Sequence, residues 1–286
     1  MQVMVEQMVW HDYVETRAVA GHSVVGTLKV YHDVQSPQLG NTRDLFVYLP
    51  PSYDISTRRY PVVYMHDGQN LFDHALSYAG EWQVDETMEA LSKEGIEAIV
   101  VGVPNAGVHR LDEYTPFRDT RGTGGHGAKY VDFLVDTVKP LIDRDFHTLP
   151  NRESTGVLGS SLGGLISMFA FFYRPDVFGF AGVMSPSFWF AQEAIFPYIQ
   201  RQPFVPGRLY LDAGTAEDMG PRRRLLHRPR VGGCATNVQR MRGLLLEKGY
   251  RDGANLLVIE EPGGIHHESA WARRLPDALR FLLAKE

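Results

Sequence analysis

The sequence predicts an α/β fold, in which a mostly parallel central sheet has helices on both faces and an antiparallel hairpin lies at its N-terminal side. Two observations carry this prediction. Short apolar runs that end in turn residues alternate with helical patterns along most of the chain, as in a parallel sheet with helical crossovers. Residues 23–50 instead hold two β-rich runs joined by the polar turn SPQLGNT, which is typical of a hairpin.

The later elements follow in alternation. Buried strands are predicted in VVYM (62–65), IEAIVVGVPN, STGVLG, GFAGVMSPS, GRLYLDAG and NLLVIEEPGG. Helices are predicted in AGEWQVDETMEALSKEG, AKYVDFLVDTVKPLIDRDF, LGGLISMFAFFYRP, FAQEAIFPYI, CATNVQRMRGLLLEKGY and ESAWARRLPDALRFLLAK, the second of them broken or kinked near Pro140. Residues 104–127 are loop-like. Because no linker divides the chain, we expect a single domain over residues 1–286, with residues 1–20 as an N-terminal extension.

Composition narrows the possible partners. The 286 residues carry a formal net charge of −5 and are 44% hydrophobic, so we expect neither nucleic acid nor a membrane as a partner. The one cysteine, Cys234, excludes an intrachain disulfide and a cysteine-based zinc site. We see no signal peptide and expect a cytoplasmic protein. A homo-oligomer is compatible with the sequence.

A nucleophile motif lies in TGVLGSSLGG, residues 155–164. Gly159 to Gly163 fit G-x-S-x-G, the pattern of a sharp turn from a strand to a helix that exposes its central serine. Only Ser161 has glycine both two residues before and two residues after it, so Ser160 lies inside the turn. The alternative of a phosphate-binding loop fails because no lysine follows the glycines.

A serine nucleophile needs a general base and an acid that orients the base. With this turn, the acid and then the histidine follow the serine in the chain, each after a later strand. Glu217 and Asp218 follow the strand in RLYLDAG, and His266 and His267 follow the strand in NLLVIEEPGG. The backbone N–H of Leu162, next after the serine, is the first expected donor to an oxyanion.

Several segments together resemble the esterase D and enterochelin-esterase group of α/β-hydrolases, also called the putative-esterase family. They are VYLPPSYD, YPVVYMHDGQNLFD, GSSLGGL, LDAGTAED and GGIHHESAWARRLPDALRFL, and the resemblance extends from about Gly26 onward. It implies the α/β-hydrolase fold. The end pattern H-N-E-x-x-W of similar proteins implies that His266 is the base, although His267 stands in the place of the asparagine. The resemblance favours Glu217 over Asp218 as the acid.

The resemblance also places the second oxyanion donor on Gln69. It implies a serine carboxylesterase that works through an acyl-enzyme on a small-molecule ester, with no metal and no organic cofactor. Three alternatives stay open: acyl transfer to a sugar or alcohol, a siderophore, feruloyl or acetylxylan esterase, and a non-catalytic binding module on the same fold. Trp82, Tyr114 and Trp189 are candidates for the substrate pocket. The basic run at residues 221–230 is either a solvated loop or part of a lid.

Overall fold

A computed structural model describes residues 9–16, 21–217 and 233–284. Its centre is a nine-stranded sheet with the order β1-β2-β3-β5-β4-β6-β7-β8-β9. The strands are β1 (His11–Asp12), β2 (Thr27–Ser36), β3 (Asn41–Leu49), β4 (Val62–His66), β5 (Ile99–Val103), β6 (Thr155–Ser160), β7 (Phe180–Met184), β8 (Arg208–Gly214) and β9 (Leu256–Glu261).

The six strands from β4 to β9 are parallel, as the apolar runs predict. Within β4, Val62 and Tyr64 pack into the core on one face of the sheet, while Val63 and Met65 pack into the core on the other. A strand that is buried on both faces cannot alternate apolar and polar residues, which explains its continuous apolar run. The carboxyl ends of the parallel strands therefore form one edge, where a site can be assembled.

The N-terminal strands are antiparallel. β2 pairs with β3 as the predicted hairpin, and β3 joins the parallel strands through β5. Part of the predicted N-terminal extension also belongs to the sheet, because β1 pairs with β2. In addition, Tyr13 is buried and packs edge-on against Phe46.

The helices cover both faces of the sheet. They are α1 (Tyr13–Thr16), α2 (Val84–Ser92), α3 (Arg110–Glu113), α4 (Gly127–Phe133), α5 (Lys139–Asp145), α6 (Leu162–Tyr173), α7 (Phe190–Glu193), α8 (Ile195–Arg201), α9 (Cys234–Lys248) and α10 (Glu268–Leu282). Short 3₁₀ turns occupy Gly68–Asn70, Gly107–His109 and Arg152–Ser154.

Two helical details differ from the simplest sequence interpretation. The helix that contains Pro140 is interrupted by a π-helical segment at Leu134–Val138, which ends two residues before the proline. Proline cannot donate a backbone hydrogen bond. The loop predicted at residues 104–127 contains the short helix α3. Within the described ranges, no helix has the length and apolar character that crossing a membrane requires.

Candidate active site

Ser161 stands at the sharp turn between β6 and α6. Its backbone has φ 57° and ψ −119°, a conformation that non-glycine residues rarely adopt and that usually marks a functional site. The turn is held because the Ser161 N–H donates to the carbonyl oxygen of Met184, at 3.0 Å. Ser160 is the last residue of β6 and is buried. The structure thus gives the two serines the different places that their spacing predicts.

The glycines of the motif are required by close packing. A Cβ atom on Gly159 would lie 2.7 Å from Cδ2 of His66 and 3.0 Å from the carbonyl carbon of Gly163. His66 is itself buried beneath the turn, with Nδ1 2.8 Å from the hydroxyl of Tyr130. Burial lowers the pKa of His66 to about 3, so its imidazole is neutral. His66 therefore has a structural place beneath the turn.

Glu217 and His266 are brought together at the same edge of the sheet. Glu217 follows β8 and His266 follows β9, and Nδ1 of His266 lies 2.9 Å from Oε2 of Glu217. The Glu217 side chain is 1% exposed and that of His266 is 37% exposed. The pair thus has a buried acid and an imidazole that solvent reaches.

The surroundings of Glu217 favour its ionised form. Burial raises its pKa, but hydrogen bonds from His266, from the Ser185 hydroxyl and from the Gly214 N–H outweigh that effect and lower the pKa to about 2. Ser185 Oγ and Gly214 N lie 2.5 and 2.6 Å from Oε1. Glu217 is therefore a carboxylate at neutral pH.

The two adjacent histidines have different places. His267 is the N-cap of α10, where its Nδ1 accepts from the Ser269 N–H at 3.2 Å. The His266 ring packs edge-to-face against Trp271, with ring centroids 5.0 Å apart. The structure thus brings His266, and not His267, to Glu217. The alternative acid, Asp218, and the basic run at residues 221–230 lie outside the described residues.

The Ser161 hydroxyl has a partner of its own. Its Oγ lies 3.2 Å from Oγ of Ser187, whose N–H donates to the carbonyl oxygen of Ser161. Among the residues that the structure describes, the Ser161 hydroxyl is bonded to Ser187 and has no hydrogen bond to His266. Bonds between catalytic groups are often long before substrate binds.

The two N–H groups that the sequence analysis names as oxyanion donors each lie at the start of a helical turn. Leu162 is the first residue of α6, and Gln69 lies within the 3₁₀ turn Gly68–Asn70 after β4. N–H groups in a first helical turn have no partner within the helix and suit an anion. A Cβ on Gly68 would lie 2.6 Å from the backbone of Val103, so this turn sits tightly against β5.

Residues that sequence reasoning missed fix the position of this turn. Asp67, directly before it, has φ 56° and accepts two hydrogen bonds from Arg110, both of 2.7 Å, and a third from Asn105. The Asp67 N–H donates to the hydroxyl of Tyr114. The sequence carries no signal for these contacts, because they join loops after different strands.

The three aromatic candidates differ in exposure. Tyr114 is fully buried, so its position favours support of the Asp67 turn over contact with a substrate. Trp82 is 3% exposed and lies against Trp271, with ring centroids 5.5 Å apart. Trp189 is 51% exposed in the segment after β7. Of the three, Trp189 offers the largest free surface.

One cluster of carboxylates has the spacing of a cation site. Glu81, Asp85 and Glu86 each place an oxygen within 4.8 Å of the others. Burial and the neighbouring Glu86 raise the pKa of Asp85 to about 8, and burial raises that of Glu81. A proton retained on Asp85 reduces the repulsion in this cluster without a cation.

Comparison with known proteins agrees with this architecture. The family model described as "Putative esterase" matches residues 36–282. The uncharacterized protein YbbA of Bacillus subtilis (strain 168) is 30% identical over 253 residues, which cover 86% of this chain and 94% of that protein. Two solved structures share the fold. The IroE-like serine hydrolase of Shewanella oneidensis has a TM-score of 0.71 at 19% identity, over 90% of this chain and 80% of that one. The siderophore hydrolase EstA of Aspergillus nidulans has a TM-score of 0.64 at 20% identity, over 89% and 93%.

The family match spans far more than half of the chain, and its range includes Ser161, Glu217 and His266. The YbbA match extends over most of both proteins. The predicted fold class is confirmed by the parallel sheet and by its structural neighbours. The chain is therefore a member of the putative esterase family, with an α/β-hydrolase fold, and is a carboxylic ester hydrolase.

Proposed function

We propose that Ser161, His266 and Glu217 form a catalytic triad that hydrolyses carboxylic esters through an acyl-enzyme. The observation that carries this proposal is the contact of 2.9 Å between Nδ1 of His266 and Glu217. It lies at the same edge of the sheet as the strained backbone of Ser161. A buried carboxylate on Nδ1 fixes the tautomer that leaves Nε2 free to accept a proton.

The chemistry follows from these positions. As the Ser161 oxygen attacks the ester carbonyl, Nε2 of His266 takes the hydroxyl proton, and Glu217 stabilises the imidazolium that forms. When the tetrahedral intermediate collapses, His266 gives the proton to the departing alkoxide, which leaves as an alcohol. Water, deprotonated by His266, then attacks the acyl-enzyme. When this second tetrahedral intermediate collapses, His266 returns the proton to the departing Ser161 oxygen and the carboxylic acid is released.

The oxyanion of each tetrahedral intermediate is assigned to the N–H groups of Leu162 and Gln69. Donors that are already in place cost no reorganisation during the reaction, and each is typically worth about 3 kcal/mol. The contacts of Asp67 with Arg110 and Asn105 support this assignment, because they fix the turn that carries Gln69. No step of this mechanism uses a metal or an organic cofactor.

The test is the variant Ser161→Ala with p-nitrophenyl acetate as substrate. We expect kcat to fall by about 10³-fold or more, since loss of the nucleophile leaves only the oxyanion site and binding. Circular dichroism should show an unchanged fold. If the variant hydrolyses the ester as fast as the wild type, the proposed mechanism is wrong and a non-catalytic role for this site gains support.

The substrate is proposed only as a small-molecule ester, and a panel would narrow it. The panel holds p-nitrophenyl esters of rising chain length, methyl ferulate, acetylated xylan and a catecholate siderophore. A siderophore ester is included because EstA of Aspergillus nidulans is named a siderophore hydrolase. Acyl transfer is measured in the same assay as ester formed when a sugar or alcohol is added. The single domain and the cytoplasmic location stay predictions, and a homo-oligomer stays compatible with the sequence.

A further inference from the structure

Ser185 is a fully buried serine directly after β7, next to the proposed acid. Its backbone lies in the left-handed region, with φ 41°. Its N–H is 3.0 Å from the carbonyl oxygen of Asp212 and 3.0 Å from Oδ1 of the same residue. Asp212, which belongs to β8, thus holds the Ser185 backbone in a conformation that is uncommon for serine.

The hydrogen bonds of the Ser185 hydroxyl determine where its proton points. A hydroxyl has one proton to donate and two lone pairs to accept with. Trp271 Nε1 and Arg274 Nη2 lie 2.9 and 2.8 Å from Oγ, and both of these groups can only donate. With both lone pairs occupied, the proton of Ser185 is directed to Oε1 of Glu217, 2.5 Å away.

This arrangement orients the carboxylate of Glu217. Oε1 accepts from the Ser185 hydroxyl and from the Gly214 N–H, so Oε2 is left to face Nδ1 of His266. A carboxylate that is free to rotate would offer the imidazole either oxygen in a range of directions. The two bonds to Oε1 therefore hold the Glu217 carboxylate in the orientation in which Oε2 faces Nδ1 of His266.

Arg274 donates a hydrogen bond to Ser185 and is also within ion-pair distance of Glu217. Its Nη2 lies 3.6 Å from Oε1 of Glu217, beyond hydrogen-bond distance. The rest of the guanidinium faces two other acids, with Nε 3.1 Å from Asp212 and Nη1 2.9 Å from Glu261. The Arg274 side chain is only 5% exposed, and the buried Asp212 and the partly exposed Glu261 hold it in place. Trp271 and Arg274 are three residues apart on α10 and share one helical face.

We propose that Ser185 is a positioning residue for the esterase reaction. Its hydroxyl holds the Glu217 carboxylate in the orientation that His266 requires, and Trp271 and Arg274 fix the direction of its proton. This inference rests on the proposed triad. It assigns roles to three residues for which the nucleophile motif and the chain order of the triad gave no signal.

The first test compares Ser185→Ala with a matched control, Ser167→Ala. Ser167 is also fully buried, and its hydroxyl donates to the carbonyl oxygen of Gly163 without touching the triad. With p-nitrophenyl acetate, we expect Ser185→Ala to lower kcat by about 10- to 100-fold, since small misplacements of catalytic groups have effects of this size. KM should stay within about twofold of the wild type, and Ser167→Ala should retain the wild-type kcat.

The second test separates positioning from a general loss of packing. Trp271→Phe keeps an aromatic ring beside His266 but removes the N–H that Ser185 accepts. Alone it should lower kcat by about 3- to 10-fold; combined with Ser185→Ala it should add nothing, because the hydroxyl it orients is already gone. If the loss of kcat in the double variant equals the product of the two single losses, the proposal is wrong.

Two further outcomes are decisive. If Ser185→Ala folds and its kcat is within twofold of the wild type, the inference about Ser185 is wrong. If Ser161→Ala is inactive in the same experiment, the proposed triad still holds. If Ser185→Ala does not fold, Trp271→Phe decides alone, and an unchanged kcat contradicts the role of Ser185. Failure of the triad itself has a different signature, namely full activity in Ser161→Ala.

Discussion

Replacing Glu217 by glutamine tests the proposed acid with almost no change in size. In the variant, the amide oxygen is expected to accept from Ser185 and Gly214, the two donors that now bind Oε1. The amide NH₂ would then face Nδ1 of His266. Because NH₂ can only donate, Nδ1 would have to accept, and the proton would move to Nε2. That tautomer cannot take the proton of Ser161.

Two magnitudes follow from this geometry. A triad held in the wrong tautomer loses about 10³- to 10⁴-fold in kcat. The stability effect comes from the pKa of Glu217, which falls from the ordinary 4.5 to about 2 in the folded protein. This depression corresponds to up to about 3 kcal/mol of stability above pH 4.5, which is lost as the pH falls towards about 2. Glutamine removes that contribution at neutral pH.

The assay is kcat for p-nitrophenyl acetate at pH 7.5, together with the free energy of unfolding in urea at the same pH. Glu260→Gln is the control, since Glu260 is an exposed residue of β9 that bonds to Gln239. A folded Glu217→Gln within tenfold of the wild-type kcat would refute the reasoning. If Asp218→Asn were then the inactive variant, the acid would be Asp218.

Three more predictions concern residues outside the proposed triad. The pKa of Asp85 is raised to about 8 in the folded protein, whereas in the unfolded chain the carboxyl loses its proton near pH 4. Because the folded state binds one proton more between these two values, the free energy of unfolding declines as the pH rises from about 4 to about 8. Asp85→Asn should therefore lose less stability than the wild type between pH 5.5 and 8.5, by at least about 1 kcal/mol in urea unfolding; equal losses would contradict the raised pKa. Gly159→Ala places a Cβ 2.7 Å from an imidazole carbon and should cost about 1–3 kcal/mol, whereas Gly243→Ala, with no atom within 4 Å, should not lower the melting temperature. Arg110→Ala leaves the Asp67 carboxylate with the bond from Asn105 and without the two from Arg110. It should lower kcat about tenfold, less than the loss of an oxyanion donor, with KM little changed; an unaltered kcat would mean that this ion pair does not hold the turn.

Much of the fold was predictable because its signals are local. A continuous apolar run such as β4 identifies a strand buried on both faces, and the glycines around Ser161 identify the turn between β6 and α6. Chain order then placed the acid after β8 and the histidine after β9. The sequence left two candidates at each of these places, because adjacent residues differ only in where their side chains point.

The remaining features depend on contacts between distant parts of the chain. Ser185 meets Trp271 across 86 positions and Arg274 across 89, so no local pattern could connect them. The sequence offers Tyr114 as a candidate for the substrate pocket, yet its side chain is fully buried and its hydroxyl accepts from the Asp67 N–H. Burial and direction of side chains are products of tertiary packing, which one sequence does not reveal.

The central claim is that Ser161 is the nucleophile, and covalent labelling tests it most directly. The protein is treated with paraoxon, an organophosphate that phosphorylates activated serines, and is then digested and sequenced by tandem mass spectrometry. We predict one diethylphosphoryl group per chain on Ser161, formed in proportion to the loss of esterase activity. Complete inactivation with the label on another residue, Ser160 included, would contradict the account.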